Sequence, residues 1–114
     1  MKKIIVFLFS LFLIIDAHAY VDRANAVISI LDKASGKTNT TTIPVGQNMK
    51  YEKLNFIIQS CKQTDPFQAE NSYMFIEIST ATDGKIFSGW MNKNAPGENS
   101  LQNADFDMWL VRCE

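Results

Sequence analysis

The dipeptide Asp83-Gly84 lies between two runs of strand-forming residues, 73–80 and 86–91. Aspartate and glycine suit the tight turn of a β-hairpin, and this dipeptide between strand-like runs is among the strongest short-range hairpin signals. Apolar residues occupy every second position of the first run, which is the period of a strand with one buried face. The sequence therefore predicts an antiparallel hairpin in the second half of the chain. The glycine inside the second run, Gly89, indicates a bulge, a bend or the close approach of another segment.

The rest of the chain repeats this pattern of short strands and turns. Segments rich in β-branched and aromatic residues alternate with turn residues and predict strands at 26–31, 38–43, 49–51, 54–62 and 106–113. Alternation in the last segment places Trp109 and Cys113 on one face and Met108 on the other. The stretch 92–105 is predicted to be irregular. These elements predict an all-β fold, either a small antiparallel sandwich or a partly open barrel.

The first 19 residues have the composition of a signal peptide. A basic start precedes a nearly unbroken apolar run over 4–15, and 17–19 form a small-x-small cleavage pattern. A retained anchor is the alternative, but the run is shorter than the roughly 20 residues that cross a bilayer. Cleavage after residue 19 would leave an N-terminal arm at 20–25 and a single β-domain at 26–114. The predicted location is the periplasm or the cell exterior, with no membrane span after cleavage.

Charge and histidine content exclude two classes of function. The chain has a formal net charge of −1, and the leader carries two basic residues and one acidic residue, so its removal leaves about −2. Such a surface has no basic stripe to neutralise phosphates, so no nucleic-acid partner is predicted. The single histidine, His18, lies in the leader. Catalysis by a Ser/His/Asp or Cys/His set is therefore excluded for the processed chain.

Two cysteines, Cys61 and Cys113, remain after the leader. In an oxidising compartment paired thiols usually form disulfides, so one structural bridge is predicted. It would stabilise the fold by roughly 4 kcal/mol on the chain-entropy model. A redox pair and a metal site are the alternatives. A redox pair would normally be close in sequence and a zinc site would need about four ligands, so neither a metal nor a cofactor is predicted.

No catalytic residues are predicted. Ser88 lies in the distinctive run 86–91, but no Gly-x-Ser-x-Gly turn surrounds it, which favours a structural serine. Asp105 and Asp107 could act as a carboxylate pair on a wall polymer. Solvated or turn-capping acids are the favoured interpretation of that pair, since a cleft for a sugar chain is hard to form in a domain of this size.

A partner-binding surface is predicted where the second hairpin strand meets the irregular stretch. Most of the aromatic residues are expected in the core, and Trp90 is expected either there or in an exposed recognition patch. The predicted surface consists of Trp90, Met91, Asn94, Pro96, Gly97 and Leu101.

The order and spacing of several motifs carry a family resemblance. They are Leu31-Asp32-Lys33 with Gly36, Pro44-Val45-Gly46, Cys61, Phe75-Ile76-Glu77-Ile78, Ile86-Phe87-Ser88-Gly89-Trp90-Met91, Pro96-Gly97 with Ser100-Leu101, and Asp107 with Trp109-Leu110 and Cys113. From residue 26 to the C-terminus the chain resembles the secreted alphaproteobacterial family called domain of unknown function 2155. The resemblance implies a small exported protein of a Gram-negative envelope with two characteristic cysteines. It implies no activity, so no functional residue is carried over.

These observations predict a non-enzymatic periplasmic binding or accessory domain whose partner is another envelope protein or a cell-wall component. The alternative is an inhibitor of lysozyme-like hydrolases, which are often opposed by small disulfide-bearing β-domains. A third interpretation, a carboxylate-dependent enzyme acting on the wall, has the weakest support.

Overall fold

Eight β-strands form the part of the chain that the computed structural model describes, residues 20–114. The strands are β1 (Tyr20–Asp22), β2 (Asn25–Asp32), β3 (Lys37–Pro44), β4 (Asn48–Tyr51), β5 (Leu54–Thr64), β6 (Ser72–Thr80), β7 (Gly84–Asn92) and β8 (Phe106–Cys113). Every predicted strand is confirmed, most of them one or two residues longer than predicted. The predicted signal peptide at 1–19 lies outside the described residues.

The strands form two separate antiparallel sheets. In the five-stranded sheet β5, β6 and β7 follow one another, while β1 and β4 pair with opposite ends of the long β5. The three-stranded sheet has the order β3-β2-β8. The sheets face each other, with β8 contacting β5, β6 and β7. The predicted sandwich is therefore confirmed, and the sheets do not close into a barrel.

The hairpin predicted from Asp83-Gly84 is formed by β6 and β7. Its turn places Gly84 opposite Thr80, with a φ of +70° at the glycine. A left-handed residue after a three-residue loop matches the right-handed twist of the two strands. The Asp83 backbone N–H donates to the Thr80 hydroxyl at 3.0 Å, which fixes the loop further.

The core lies between the two sheets and is almost entirely aliphatic and methionine-rich. Alternate residues of β6 are buried, as the alternation predicted. The largest fully buried side chains are Ile28, Ile30, Leu54, Ile58, Met74, Ile76, Ile78 and Met108. Because each strand contributes every second residue, the intervening residues form the two outer faces.

The disulfide between Cys61 and Cys113 is confirmed, and it joins β5 to β8 across the core. The Cα atoms are 5.7 Å apart. A register shift after Ile58 turns Cys61 inward, and a second one leaves Val111 without a partner on β2. That second bulge reverses the alternation, so Cys113 is buried with Met108 and not on the face of Trp109, where the sequence predicted it. A bulge inserts one unpaired residue and therefore switches the face of every residue beyond it.

The interval predicted as an N-terminal arm, 20–25, is part of both sheets. Tyr20–Asp22 forms β1 beside β5, and Asn25 begins β2. Between them the Arg23 N–H donates to the Cys61 carbonyl at 2.8 Å. The polar composition of this segment suggested an arm, whereas pairing with the exposed edge of β5 decides its structure.

The irregular stretch after β7 crosses from one sheet to the other and is held at both ends. The Lys93 N–H donates to the Ser72 carbonyl at 2.9 Å, and the Lys33 N–H donates to the Asp105 carbonyl at 2.9 Å. Leu101 in its centre is buried in the core cluster. Residues 96–99 form a turn, in which the Glu98 N–H donates to the Ala95 carbonyl at 3.1 Å.

Gly89 is explained by close approach, one of the three possibilities that its position indicated. The Asn99 side-chain amide donates to the Trp90 carbonyl at 2.8 Å, on the free edge of β7. A Cβ on residue 89 would lie 3.0 Å from that amide nitrogen. The glycine therefore makes room for the side chain that covers the edge.

Substituting Gly89→Ala is expected to break the Asn99 hydrogen bond and to lower the free energy of unfolding by about 1 kcal/mol. Urea denaturation of Gly89→Ala, Asn99→Ala and the double variant tests this. In the Asn99→Ala background the glycine substitution is expected to be neutral or stabilising, because alanine is favoured over glycine inside a strand. Gly97→Ala, where a Cβ meets open space, is the control. Equal destabilisation in both backgrounds would contradict this explanation.

Candidate functional site

Aromatic side chains collect on the outer face of the five-stranded sheet. Tyr73 and Phe75 are two residues apart on β6, and they face away from the core because Met74 between them is buried. Trp90 lies directly opposite Phe75 in the register of β7. Tyr20 on β1 reaches the same cluster from the other side of β5. Three strands thus place four aromatic rings on one solvent-facing surface.

The rings pack edge to face. The centroids of Phe75 and Trp90 are 5.3 Å apart with an interplanar angle of 73°, and those of Tyr20 and Tyr73 are 5.6 Å apart at 88°. Such pairs stabilise each other by about 0.5–1.5 kcal/mol beyond their burial. The edge-to-face contacts therefore favour these ring orientations at the surface.

A surface cleft of about 250 Å³ lies between these rings and is lined by Tyr20, Lys62, Tyr73 and Trp90. Lys62 is the one charged group in its wall, and its ammonium group lies 3.7 Å from the Asp22 carboxylate. Trp90 is 43% exposed and Tyr20 48% exposed. The cleft can thus accept an apolar group, and the Lys62 ammonium group is the one charged hydrogen-bond donor in its wall.

Phe67 projects into solvent from the loop between β5 and β6 and is 97% exposed. The Gln68 N–H donates to the Asp65 carbonyl and the Phe67 N–H to the Asp65 carboxylate, both at 2.9 Å. Proline at position 66 presets the backbone of this β-turn. The Thr64 hydroxyl closes the base of the loop by donating to the Ala69 carbonyl at 3.0 Å. Phe67 is therefore presented by a braced turn.

The exposed large hydrophobic residues lie at the same end of the five-stranded sheet or on the loop there between β5 and β6. Within residues 20–114 they are Tyr20, Val21, Phe67 and Trp90. Tyr20 shares the aromatic cleft with Trp90, whereas Val21, the next residue of β1, points to the other face and lines a second cleft of about 280 Å³ with Pro66. We call the surface formed by Tyr20, Phe67, Tyr73, Phe75 and Trp90 the aromatic end.

Of the residues predicted to bind a partner, Trp90 alone belongs to the aromatic end. Met91 and Leu101 are each 3% exposed and face the core, so they cannot contact a partner in this structure. Met91 is buried because it follows Trp90 in the alternation of β7, and Leu101 because it fills the space between the sheets.

The other three predicted residues do not line the aromatic cleft. The Asn94 side-chain amide donates to the Glu70 carbonyl at 2.8 Å, so Asn94 holds two loops together. Pro96 and Gly97 are exposed, but they line a different cleft of about 320 Å³ beside Trp109 of the three-stranded sheet. Asn94 adjoins Tyr73 through Asn71, whose side chain accepts the Asn94 N–H at 3.2 Å and donates to the Tyr73 hydroxyl at 3.0 Å. The structure therefore places Asn94 beside the aromatic cluster and does not bring Pro96 and Gly97 together with Trp90.

Sequence reasoning missed Tyr20 and Phe67 as site residues. The signal for Phe67 was present, since Asp65-Pro66 favours a turn that would display the next residue. The outward orientation of Tyr73 and Phe75 follows from the same alternation that places Met74 in the core. No sequence pattern indicated that β1 would pair with the end of β5.

Ion pairs surround the aromatic end and continue along the same face. The Lys93 ammonium group hydrogen-bonds the Glu70 carboxylate at 2.8 Å and lowers the pKa of Glu70. The Lys85 ammonium group lies 2.8 Å from the Glu77 carboxylate and lowers the pKa of Glu77 in the same way. Because both pKa values are lowered in the folded state, these pairs stabilise the fold at a pH above the ordinary carboxylate pKa. The stabilisation is lost as the pH falls through the lowered pKa of each folded-state carboxyl group.

Beyond Glu77 the outer face becomes polar. A depression of about 380 Å³ is lined by charged and amide side chains, among them Lys50, Asn55 and Lys85, together with apolar ones such as Met49 and Ile57. Exposed ion pairs of this kind contribute little to stability or affinity. The depression is larger than the aromatic cleft and includes the half-buried Ile57 in its wall, but none of its apolar side chains is among the exposed large hydrophobic residues.

The two acids considered as a carboxylate pair have other partners. Asp105 forms an ion pair with Lys53 and lies before the first residue of β8. The Asp107 carboxylate accepts the Met108 N–H at 2.8 Å. In residues 20–114 no group of three or more histidine, cysteine or acidic side chains is arranged to hold a metal ion. The described part of the chain has no helix long and apolar enough to cross a membrane.

The fold and the surface define a small disulfide-linked β-sandwich with an exposed aromatic patch at one end of one sheet. The model of a family described as uncharacterised proteins conserved in bacteria, DUF2155, matches residues 26–113. The chain belongs to this family, as its motifs predicted. No curated protein and no solved structure matches the chain.

Proposed function

We propose that this protein is a non-enzymatic binding or accessory domain of the bacterial cell envelope, exported by its leader, that engages a partner protein through the aromatic end. The observation that carries the proposal is the clustering of the exposed hydrophobic residues of the described chain at one end of one sheet. Scattered exposed hydrophobic residues are ordinary, whereas a contiguous exposed patch marks a surface that something covers.

The geometry of the rings favours a protein over a glycan. Sugar rings stack on flat aromatic faces and need several polar side chains for their hydroxyl groups. Here the ring pairs stand nearly perpendicular, and Lys62 is the single charged residue in the wall of the cleft. A slot of this shape suits an inserted aliphatic, proline or aromatic side chain, and aromatic residues are enriched at protein interfaces.

Phe67 supplies the complementary half of such an interface. A fully exposed aromatic side chain gains the most when it enters a pocket of the partner, and its braced turn limits the entropy lost on binding. The aromatic end would thus use the cleft to receive a side chain and Phe67 to insert one. This two-sided arrangement suits a folded or extended protein segment.

In-cell photocrosslinking tests the position of the interface. A photoreactive phenylalanine is placed at Phe67, at Trp90, or at Asn55, an exposed control on the polar part of the same sheet. We expect one adduct of the same mass from Phe67 and Trp90 and none from Asn55. The Phe67 adduct should disappear when Trp90→Ala is added. No adduct from either position, or an equal adduct from Asn55, would contradict the proposal.

A second experiment distinguishes a protein partner from a glycan. Soluble peptidoglycan fragments are titrated into the labelled protein while the indole N–H resonance of Trp90 is followed by NMR, with that of Trp109 as the internal control. We expect neither resonance to shift. A saturable shift of Trp90 alone would assign the aromatic end to cell-wall glycan and overturn the choice of a protein partner.

Phe67 also favours a second candidate function, the inhibition of a lysozyme-like hydrolase. An apolar residue on a braced, projecting turn could enter the substrate cleft of such an enzyme. If so, the protein would inhibit lysozyme, and Phe67→Ala would abolish the inhibition while Gln68→Ala in the same turn would retain it. Absence of inhibition by the wild-type protein would dismiss this candidate and leave the crosslinking prediction unaffected.

A further inference from the structure

The outer edge of β3 has no partner within residues 20–114. β3 pairs with β2 over all eight of its residues without a register shift. Every residue from Lys37 to Thr42 is exposed. The result is a long, regular row of free backbone donors and acceptors, which is a template for another strand.

The other strand edges carry protective features that β3 lacks. β1 and β4 have three and four residues, respectively. The edge of β7 has a register shift near its turn, and the Asn99 side chain covers the Trp90 carbonyl. The bulge opposite β2 interrupts β8 near its end. Natural sheets block edge pairing by short strands, bulges, covering groups and charges, and in β3 the single charge is Lys37 at the first residue.

The sequence of β3 is complementary to itself in the antiparallel direction. Thr38, Thr40 and Thr42 alternate along the strand and therefore share one face. If Thr40 faces Thr40 of a second strand, Thr38 faces Thr42 and Asn39 faces Thr41. All three pairs on that face are then threonine with threonine, a pair type that stabilises adjacent strands through hydroxyl contacts.

We propose that β3 is a homodimerisation edge, on which the β3 strand of a second copy pairs antiparallel about a two-fold axis through Thr40. The pairing joins two three-stranded sheets into one continuous six-stranded sheet. In this register each Lys37 lies opposite Ile43, so no like charges face each other. A two-fold axis makes the interface isologous, which is the commonest arrangement of homodimers.

A second copy fits this edge better than a strand from an unrelated protein. A partner of other sequence would gain the same backbone hydrogen bonds, but the exposed residues 38–42 would not select it, because their side chains are small and neutral. The palindromic order of the threonines favours pairing of β3 with the β3 of a second copy over pairing with another strand. A single strand edge buries little surface, so the dimer is expected to be weak and to depend on concentration.

The dimer edge is independent of the aromatic end. β3 belongs to the three-stranded sheet, whereas the aromatic end lies on the outer face of the other sheet and on its β5–β6 loop. A dimer would therefore display two aromatic ends. Two sites on one particle strengthen binding to a clustered partner without any new contact.

Sedimentation of the purified chain from Tyr20 to Glu114 over a wide concentration range tests the dimer. The wild-type protein is expected to move from monomer to dimer as concentration rises. Thr40→Lys places two ammonium groups opposite each other at the axis and is expected to weaken dimerisation at least about tenfold. In the double variant Thr38→Lys, Thr42→Glu, each new lysine faces a new glutamate of the other copy, which gives two ion pairs. This variant is expected to strengthen dimerisation.

The charge-pair variant makes the test specific to the register. Thr38 and Thr42 lie at opposite ends of the row, so their charges meet only between copies. Thr38→Lys alone, which lacks the facing glutamate, is its matched control. A wild-type protein that stays monomeric up to millimolar concentration would overturn the proposal. So would a dimer that tolerates Thr40→Lys or ignores the charge pair.

Discussion

Replacing Cys61 and Cys113 together by alanine is expected to lower the free energy of unfolding by about 4 kcal/mol. The bridge links residues 52 positions apart, and it is a covalent connection between β5 of one sheet and β8 of the other. Without it the unfolded chain gains conformational freedom, while the folded sandwich keeps its aliphatic core. The loss is a large fraction of the 5–15 kcal/mol that is typical of a small domain.

Urea denaturation monitored by tryptophan fluorescence measures this effect. The double-alanine variant should unfold at a lower urea concentration and with a steeper dependence on urea, because an unfolded chain without the bridge exposes more surface. Reductant should shift the wild-type protein in the same direction and leave the variant unchanged. A difference below about 1 kcal/mol between the two proteins would contradict the structural role of the bridge.

Leu101→Ala is expected to cost roughly 2–5 kcal/mol, the range for large-to-small changes in cores. Leu101 comes from the segment that crosses between the sheets, and its side chain is buried with Met91 and Phe106 in the same core cluster. Truncation leaves a cavity that the flanking strands cannot close, because hydrogen bonds at Lys93 and Asp105 hold both ends of the segment.

The control for this prediction is Gln102→Ala, which truncates the exposed neighbour of Leu101 in the same segment. Thermal unfolding should distinguish the two variants clearly, with Gln102→Ala within about 0.5 kcal/mol of the wild-type protein. Similar stability of both variants would contradict the packing of Leu101. Since Leu101 is buried, a folded Leu101→Ala protein is expected to bind the partner normally, unlike a variant of an exposed contact residue.

The sequence predicted the strands well because their signals are local. Alternation of apolar residues in β6 and the Asp83-Gly84 turn each act within a few residues, and both were interpreted correctly. The pairing of β1 with β5 was missed because it depends on an edge formed by residues 40 or more positions away. The face of Cys113 was also missed, since the bulge at Val111 arises from pairing with β2 and has no local signature.

In the candidate site, too, local features could be predicted from the sequence and long-range contacts could not. The exposure of Trp90 was one of two open alternatives, and the hairpin register that pairs it with Phe75 could be predicted. The loop residues Pro96 and Gly97 were assigned to the same surface because they follow Trp90 closely in sequence. In the structure the loop returns to Trp90 at Asn99, while Pro96 and Gly97 lie in a cleft beside Trp109 of the other sheet.

The most direct test of the aromatic end uses the partner that crosslinking identifies. This partner is purified in its free form, and its affinity for single-residue variants is measured. Isothermal titration calorimetry is expected to show about 30-fold weaker binding for both Trp90→Ala and Phe67→Ala, equivalent to about 2 kcal/mol each. The matched controls Ser88→Ala, on the same face of β7, and Gln68→Ala should stay within about twofold of the wild-type protein. Wild-type affinity in folded Trp90→Ala and Phe67→Ala proteins would contradict the proposal that the aromatic end binds the partner.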